Sequence, residues 1–449
     1  MPPKRKLPTR LETDPRKMLE RLVGLPEVTV LGLFSDDERV ELHIESILQR
    51  PGCPECGVLA RLKGWREVIL VDLQFAGKAA ALHWHKRRWR CVEEMCPMGS
   101  WTEQDDRIAH SRMKLTRRAA LRATEDVGRK GRTVTEVADE LGCDWHTVND
   151  VVVAYGEALV DHAGRFSNVE ALGLDETAFV RAAPYHRTEF VTSIVDVKFG
   201  QLLDLVPGRG GPAPREWLLG RSPQWREGVK FATLDLSGAY KAVLDACLPN
   251  ATQVADPFHL IKLANERIDE CRRRIQNEVL GHRGRKNDPL YRARRLLTLA
   301  EQHLGEQGAH KMRGLLRAGD PYGHVAVAWE AKEAVRELYG HQDQALALEW
   351  LDSLVEDFTD SIRPPEVRSL GRTLRRWRSE ITAWHACHFT NGPTEAMNNL
   401  IKRIKRVAFG FTNFRNYRVR ALLYAGKPDW SLLATLSPRG TSSSSDPWG

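Results

Sequence analysis

Val169-Glu170-Ala171-Leu172-Gly173-Leu174-Asp175 is a short, mostly apolar run closed by a carboxylate, and Phe231-Ala232-Thr233-Leu234-Asp235 repeats the arrangement further along. Reading outward from these two runs, strand-like segments fall at 169–174, 190–197, 202–206, 231–236 and 252–255. Helical patterns intervene at 215–219 and 240–247. Three strands in succession, then helix and strand in alternation, is the order of a mixed α/β sheet. From 258 to 389 the chain reads as helical, charged and rich in Arg and Trp, and 391–424 as helical and basic.

An acid at the end of a buried strand is commonplace. Two such strands in one sheet put Asp175 and Asp235 at neighbouring strand ends, where they can bridge divalent ions. Two-metal phosphoryl transfer needs ions about 3.5–4 Å apart, and Mg²⁺ prefers carboxylate and water ligands. A third acid should come from a helix beside the sheet. Glu395 fits, in the first turn after Asn391-Gly392-Pro393-Thr394, with Met397, Leu400, Ile401 and Ile404 on one face. Glu395, Asn398, Asn399, Lys402 and Arg406 make the opposite, polar face. The plainer alternative is a glutamate that only favours the helix dipole. Asp256, in Val254-Ala255-Asp256-Pro257-Phe258-His259, is again an acid at a strand end, either a supporting residue or an alternative to Asp235.

Cys53-Pro54-Glu55-Cys56-Gly57 and the Cys91/Cys96 pair supply two thiolates each, the donor set of a closed tetrahedral zinc site. Such a metal is structural, and the strands between the pairs form the body of a zinc ribbon. Residues 28–33 and 40–44 alternate as a β-hairpin before it. His83-Trp84-His85-Lys86-Arg87-Arg88-Trp89-Arg90 interleaves aromatics with bases, a pattern suited to a nucleic-acid backbone, although either Trp serves equally as core. Thr133 can cap a helix through Leu141, Gly142 turns the chain, and Asp144 can cap a second helix. That is the spacing of a helix-turn-helix, with Trp145, His146, Thr147 and Asn149 opening the recognition helix. A purely structural helical pair is the alternative.

The 449 residues call for about two to four domains. Lys and Arg number 67 against 59 acids, a net charge of +8, and gather near 4–6, 85–90, 112–122, 272–274, 292–295 and 402–406. Several separate patches imply a polyanionic partner, while any one of them reads as well as a solvated helix face. No stretch approaches the ~20 apolar residues of a membrane span, and no apolar core follows the basic start, so a cytoplasmic location is expected. Residues 1–26 read as a basic, flexible start, and 433–449 as a disordered tail.

On these motifs the chain resembles the ISL3 family of bacterial insertion-sequence transposases. The likeness rests on the cysteine pairs, the helix-turn-helix, Leu174-Asp175-Glu176, Leu234-Asp235-Leu236-Ser237 with Tyr240, Ala255-Asp256-Pro257-Phe258-His259, and Asn391-Gly392-Pro393-Thr394-Glu395 with Asn398 and Lys402. It implies a multidomain α+β protein. A basic start at 1–26 would be followed by the β-hairpin and ribbon at 27–110 and the helix-turn-helix at 111–160. A ribonuclease-H-like α/β catalytic domain would begin at 165–257, take a helical insertion at 258–389, and close with helices at 390–432. It implies an Asp175-Asp235-Glu395 triad holding two Mg²⁺ or Mn²⁺ ions, beside structural Zn²⁺ on Cys53, Cys56, Cys91 and Cys96. The expected partner is double-stranded DNA, both the element's terminal inverted repeats and the target. Arg87, Arg88, Arg90, Lys402, Arg403 and Arg406 would join the recognition helix in contacting it. Two DNA ends imply a homodimer or larger synaptic complex on the bacterial nucleoid. The competing expectations are a transposase-derived DNA-binding regulator without catalysis and a nuclease that does not join strands.

Overall fold

A computed structural model describes residues 12–439, apart from 13, 26, 48 and 183–186. The basic cluster near 4–6 and the serine run from 441 lie outside the described residues. The described chain forms two compact units, one of residues up to Arg165 together with those from Leu400, the other Phe166–Asn399.

In the first unit, α1 (Pro15–Val23) is capped by Asp14 and stopped by Gly24 in the left-handed region, φ 64°. This segment was expected to be loosely ordered; its cap, its Pro at the helix start and its buried Val23 make it a helix. The sheet that follows contains β1 (Val28–Ser35), β2 (Arg39–Ser46), β3 (Arg61–Phe75), β4 (Lys78–Arg90) and β5 (Ser100–Thr102). Its order is β1-β2-β4-β3, with β5 on β4, and β2 runs parallel to β4. Alternate residues Val40, Leu42, Ile44, Leu82 and Trp84 point into its core.

Three helices follow: α2 (Arg117–Gly128), α3 (Val134–Leu141) and α4 (Trp145–Val160). Thr133 and Glu136 form a reciprocal capping box on α3, Gly142 turns the chain at φ 69°, and Asp144 caps α4. The chain returns to this unit through the later turns of α15 (Gly392–Val407) and through α16 (Phe414–Ala425). The 390–432 segment was read as part of the sheet domain, yet α16 packs against α4. Gly156 makes that approach possible: a Cβ there would lie 2.5 Å from Val419 Cγ1. Arg415 pairs with Glu157 and Arg418 with Asp161 across the same seam. The expected disordered tail is tied down as far as Arg439, whose N–H donates to the Ala154 carbonyl at 3.0 Å.

The second unit carries β6 (Ala171–Val180), β7 (Glu189–Asp196), β8 (Gln201–Pro207), α5 (Pro212–Leu219), α6 (Pro223–Gly228), β9 (Phe231–Leu234), α7 (Gly238–Cys247) and β10 (Thr252–Ala255). The sheet order is β10-β9-β6-β7-β8. The first three strands in sequence pair antiparallel; β9 then joins β6 in parallel and β10 joins β9 in parallel. The helices α8 (Pro257–Leu280), α9 (Pro289–Thr298), α10 (Gly305–Gly319), α11 (His324–Leu338), α12 (Gln344–Thr359), α13 (Pro365–Arg376) and α14 (Arg378–Cys387) come next. They share one apolar core with the sheet, from Leu172 and Leu234 to Leu370 and Ile381. The segment between β10 and Glu395 is therefore part of this unit's interior, and burial explains its Trp377, only 2% exposed. Among the described residues no helix is long and apolar enough to cross a membrane.

Candidate active site

Register places the acids. Gly173 of β6 faces Thr233 of β9, and Leu234 of β9 faces Ala255 of β10. Extending both pairings sets Asp175, Asp235 and Asp256 level with one another on three adjacent strands. Asp175 does not end its strand as expected. β6 continues to Val180 in partnership with β7, so this acid lies where β6 parts from β9.

The three aspartates are held differently. Asp256 is 2% exposed and fully engaged: it caps α8, one oxygen meets His259 Nδ1 at 2.9 Å, and the other accepts the Asn391 N–H at 2.9 Å. These contacts fix His259 and the turn that starts α15. Asp235 has a buried Oδ1 with no hydrogen-bond partner. Burial pushes its carboxyl above the ordinary range; His259 opposes that, and the charges of Asp175 and Glu176 add to it. A desolvated carboxylate beside another acid is the environment a cation relieves.

The helix α15 reaches the sheet because β6 offers a glycine. A Cβ on Gly173 would come within 2.3 Å of Thr394 Oγ1. With that approach open, Asn398 Nδ2 donates to Asp175 Oδ2 at 2.7 Å, and Glu395 Oε1 lies 4.0 Å from His259 Nε2. The sequence places Asn398 on the polar face of its helix with Glu395; it is 3% exposed and serves as a strut for Asp175. The hydrogen bond that His259 donates to Asp256 raises the His259 pKa; burial opposes this, and the charges of Asp256, Asp235 and Glu395 reinforce it. His259 thus joins Asp256 to the side of Glu395, in the field of Asp235. The oxygens of Asp175, Asp235 and Glu395 do not all approach within 4.8 Å of one another, as the four cysteine sulfurs do.

A cleft of about 490 Å³ opens beside Asp235 and His259, lined by Lys262 of α8 and by Arg372 and Arg376 of α13. All three bases are exposed. The two arginines stand one turn apart on one helix face, and neither stood out in the sequence as a site residue. The Ser237-to-Tyr240 motif is structural support: Tyr240 hydroxyl meets Thr192 Oγ1 of β7 at 3.1 Å, and burial raises its pKa to about 12.

In the first unit the four cysteine sulfurs converge, with Cys53–Cys96 at 3.7 Å and Cys56–Cys91 at 3.4 Å. A tetrahedron with zinc–sulfur bonds of about 2.3 Å has an edge of ~3.8 Å, so the spacing fits. Gly57, at φ 76°, makes the turn of the first pair. Burial works against the Cys53 thiolate, but N–H groups of Cys56 and Glu55 outweigh it and bring its pKa to about 7.

Residues 172–421, more than half the chain, match a family profile described as transposase, of the ISL3 DDE type. The chain belongs to the ISL3 family of transposases. Residues 49–96 match the zinc finger of transposases from the elements IS204, IS1001, IS1096 and IS1165. The transposase for insertion sequence element IS1001 of Bordetella parapertussis is 26% identical over 372 residues, covering 80% of this chain and 85% of the relative. The transposase for insertion sequence element IS1557 of Mycobacterium tuberculosis is 25% identical over 300 residues, 62% of this chain and 65% of the relative.

Not every side chain expected to meet DNA in this ISL3 transposase is available. Trp84 and Trp89 are core. Arg87 is bound to the Ser46 carbonyl and to Glu45 and lies near Glu103, whereas Arg88 and Arg90 are exposed. At the start of α4, Trp145 and His146 are exposed, but Thr147 and Asn149 are buried, and the Thr147 hydroxyl is spent on the Asp144 cap. Lys402, Arg403 and Arg406 are exposed on α15. The 272–274 cluster is absorbed internally, with Arg272 on Asp269 and Arg274 on Glu366.

Proposed function

We propose that this transposase cuts DNA at the ends of its insertion sequence and joins them to a target through Asp175, Asp235 and Glu395. The observation that carries this reading is the level pairing of Asp175 and Asp235 on adjacent strands, with the Glu395 helix seated against Gly173. The sheet order, with three antiparallel strands followed by two parallel ones, supports a ribonuclease-H-like fold. The unpartnered Asp235 Oδ1 supports Asp235 over Asp256 as the second triad acid. These carboxylates suit two Mg²⁺ or Mn²⁺ ions, which when bound would activate the attacking oxygen and steady the leaving one. Asn398 keeps Asp175 turned toward the site, and His259, held by Asp256, keeps its Nε2 toward Glu395. Lys262, Arg372 and Arg376 would hold the phosphates of the strand being cut.

The ribbon, with zinc on its four cysteines, and the α3–α4 helix-turn-helix would recognise the terminal inverted repeats. Trp145 and His146 would reach base edges there, and Arg88, Arg90, Lys402, Arg403 and Arg406 would meet the backbone. Pairing of two ends calls for a homodimer or larger assembly acting on the nucleoid in the cytoplasm. The test is incubation with Mg²⁺ and DNA carrying the element's own ends. Cleaved and joined products are expected from the wild type and from neither Asp175→Ala nor Asp235→Ala. Binding without cleavage would make the protein a regulator, and cleavage without joining a nuclease. Joining by Asp175→Ala would remove the triad.

A further inference from the structure

The outer face of the first unit's sheet gathers three imidazoles and two carboxylates that neither the cysteine cluster nor the acid site uses. Glu41 and His43 come from β2, His83 and His85 from β4, and Glu67 from β3, each alternating with the core residues of its strand. Register aligns them, His43 facing His83 and Glu67 facing His85. His43 Nδ1 lies 3.2 Å from His85 Nε2, and His85 Nε2 lies 4.0 Å from Glu67 Oε1. Ligand atoms of His43, Glu67 and His85 all fall within 4.8 Å of one another. The His43 ring stacks on His83, centroids 4.5 Å apart.

We propose that His43, His85 and Glu67 form a second divalent-metal site, suited to zinc and distinct from the cysteine site. Zinc–nitrogen bonds of about 2.0–2.1 Å give a tetrahedral edge of ~3.3 Å, which the two imidazole nitrogens already match. Two imidazoles and a carboxylate favour a late first-row ion over Mg²⁺. His83 is the supporting residue: its Nδ1 holds Glu67 Oε1 at 2.8 Å, the outer hydrogen bond that fixes a ligating carboxylate. Glu41 is left out of the ligand set because Arg39 pairs with it at 2.9 Å. The ligands come from three neighbouring strands, so the ion would clamp β2, β4 and β3 together. Three protein ligands also leave a coordination position open, unlike the four-cysteine site. The His83 side chain is 14% exposed and that of His85 33%, so the site is shielded yet reachable from solvent.

The full-length chain, kept in millimolar Mg²⁺ to fill the carboxylate site, is titrated with zinc and its bound metal counted. Two zinc ions per chain are expected, and one in His43→Gln and in His85→Gln. With Co²⁺ in place of zinc, both variants should keep the near-ultraviolet thiolate bands and lose the weaker visible bands of a nitrogen–oxygen site. A wild type that binds a single zinc, or variants that still bind two, would overturn the proposal. If both variants lose all metal through unfolding, histidine acylation of the wild type decides. Protection of His43 and His85 by zinc supports the site, and equal labelling with and without zinc removes it.

Discussion

At the scale of single residues, Gly173 sets the distance between β6 and α15. A methyl group at that position would overlap Thr394 Oγ1 and Val197 Cγ1, at 2.3 and 2.6 Å. Overpacking of this kind costs about 1–3 kcal/mol. In Gly173→Ala, Asn398 should be drawn from Asp175 and Glu395 from His259. The expected outcome is a Tm lower by several degrees and a cleavage rate on element-end DNA at least tenfold down; wild-type cleavage would mean the close approach is not needed. Asp235 and Asp256 are separated by a second comparison. Asp256→Asn replaces one of the two accepting oxygens by an amide NH₂, so it cannot take both the Asn391 N–H and the His259 side; it should lower thermal stability while Mg²⁺-dependent cleavage persists at reduced rate. Asp235→Asn relieves a desolvated charge, so it should leave Tm unchanged or raised and abolish cleavage. The opposite pattern would exchange their roles. The positions of Asp175, Asp235 and Glu395 in the fold were legible because each closes or opens an apolar run in the sequence. The burial of Asn398, Thr147 and Asn149 was not. Helical periodicity sorts residues by one buried face, whereas Thr147 is taken up by the Asp144 cap and Asn398 by an acid distant in sequence.

At the scale of elements, the strands of the first sheet followed their alternation and those of the second their apolar runs, but nothing of the kind marked the allegiance of α16. Its sequence is buried on most sides, from Tyr417 and Val419 to Leu423, so no single stripe names its partner. The partner is marked on α4 by Gly156, a glycine that helix propensity alone would disfavour. Gly156→Val should therefore dislodge α16 and lower stability by about 1–3 kcal/mol, read in urea unfolding. A neutral result would mean the seam tolerates a wider spacing. The helix α2 supplies a pH-dependent element. Asp126, buried at the end of α2, takes Lys130 at 2.6 Å and Arg122 at 3.0 Å. Burial raises its pKa, but the ammonium of Lys130 and the guanidinium of Arg122 outweigh it and hold the carboxyl below the ordinary value. A depressed acid stabilises the fold above its unfolded pKa of about 3.9 and loses that contribution as pH falls through the folded value. Because the bases are partly exposed, the contribution is about 1 kcal/mol or less. Asp126→Asn should cost this amount at neutral pH, and the gap from wild type should close below about pH 4. A gap that persists in acid would assign the loss to packing instead.

For the whole molecule, net charge says little about where a polyanion would bind. The net +8 spreads over bases that are largely consumed inside each unit, such as Arg87, Arg118, Arg272 and Arg274. Two sets of exposed bases stand beside the elements proposed to meet DNA: Arg88, Arg90, Lys402, Arg403 and Arg406 in the first unit, and Lys262, Arg372 and Arg376 around the cleft of the second. If the first set holds element ends and the second the strand being cut, loss of each should affect a different step. Cys56→Ser, or removal of zinc by a strong chelator followed by Mg²⁺ readdition, would release the ribbon. It should weaken binding to element-end DNA at least tenfold while leaving Mg²⁺-dependent nicking of non-specific DNA within about threefold of wild type. Arg372→Ala with Arg376→Ala should do the reverse, sparing end binding and slowing nicking. Both losses from either change would mean that recognition and chemistry are not divided between the units.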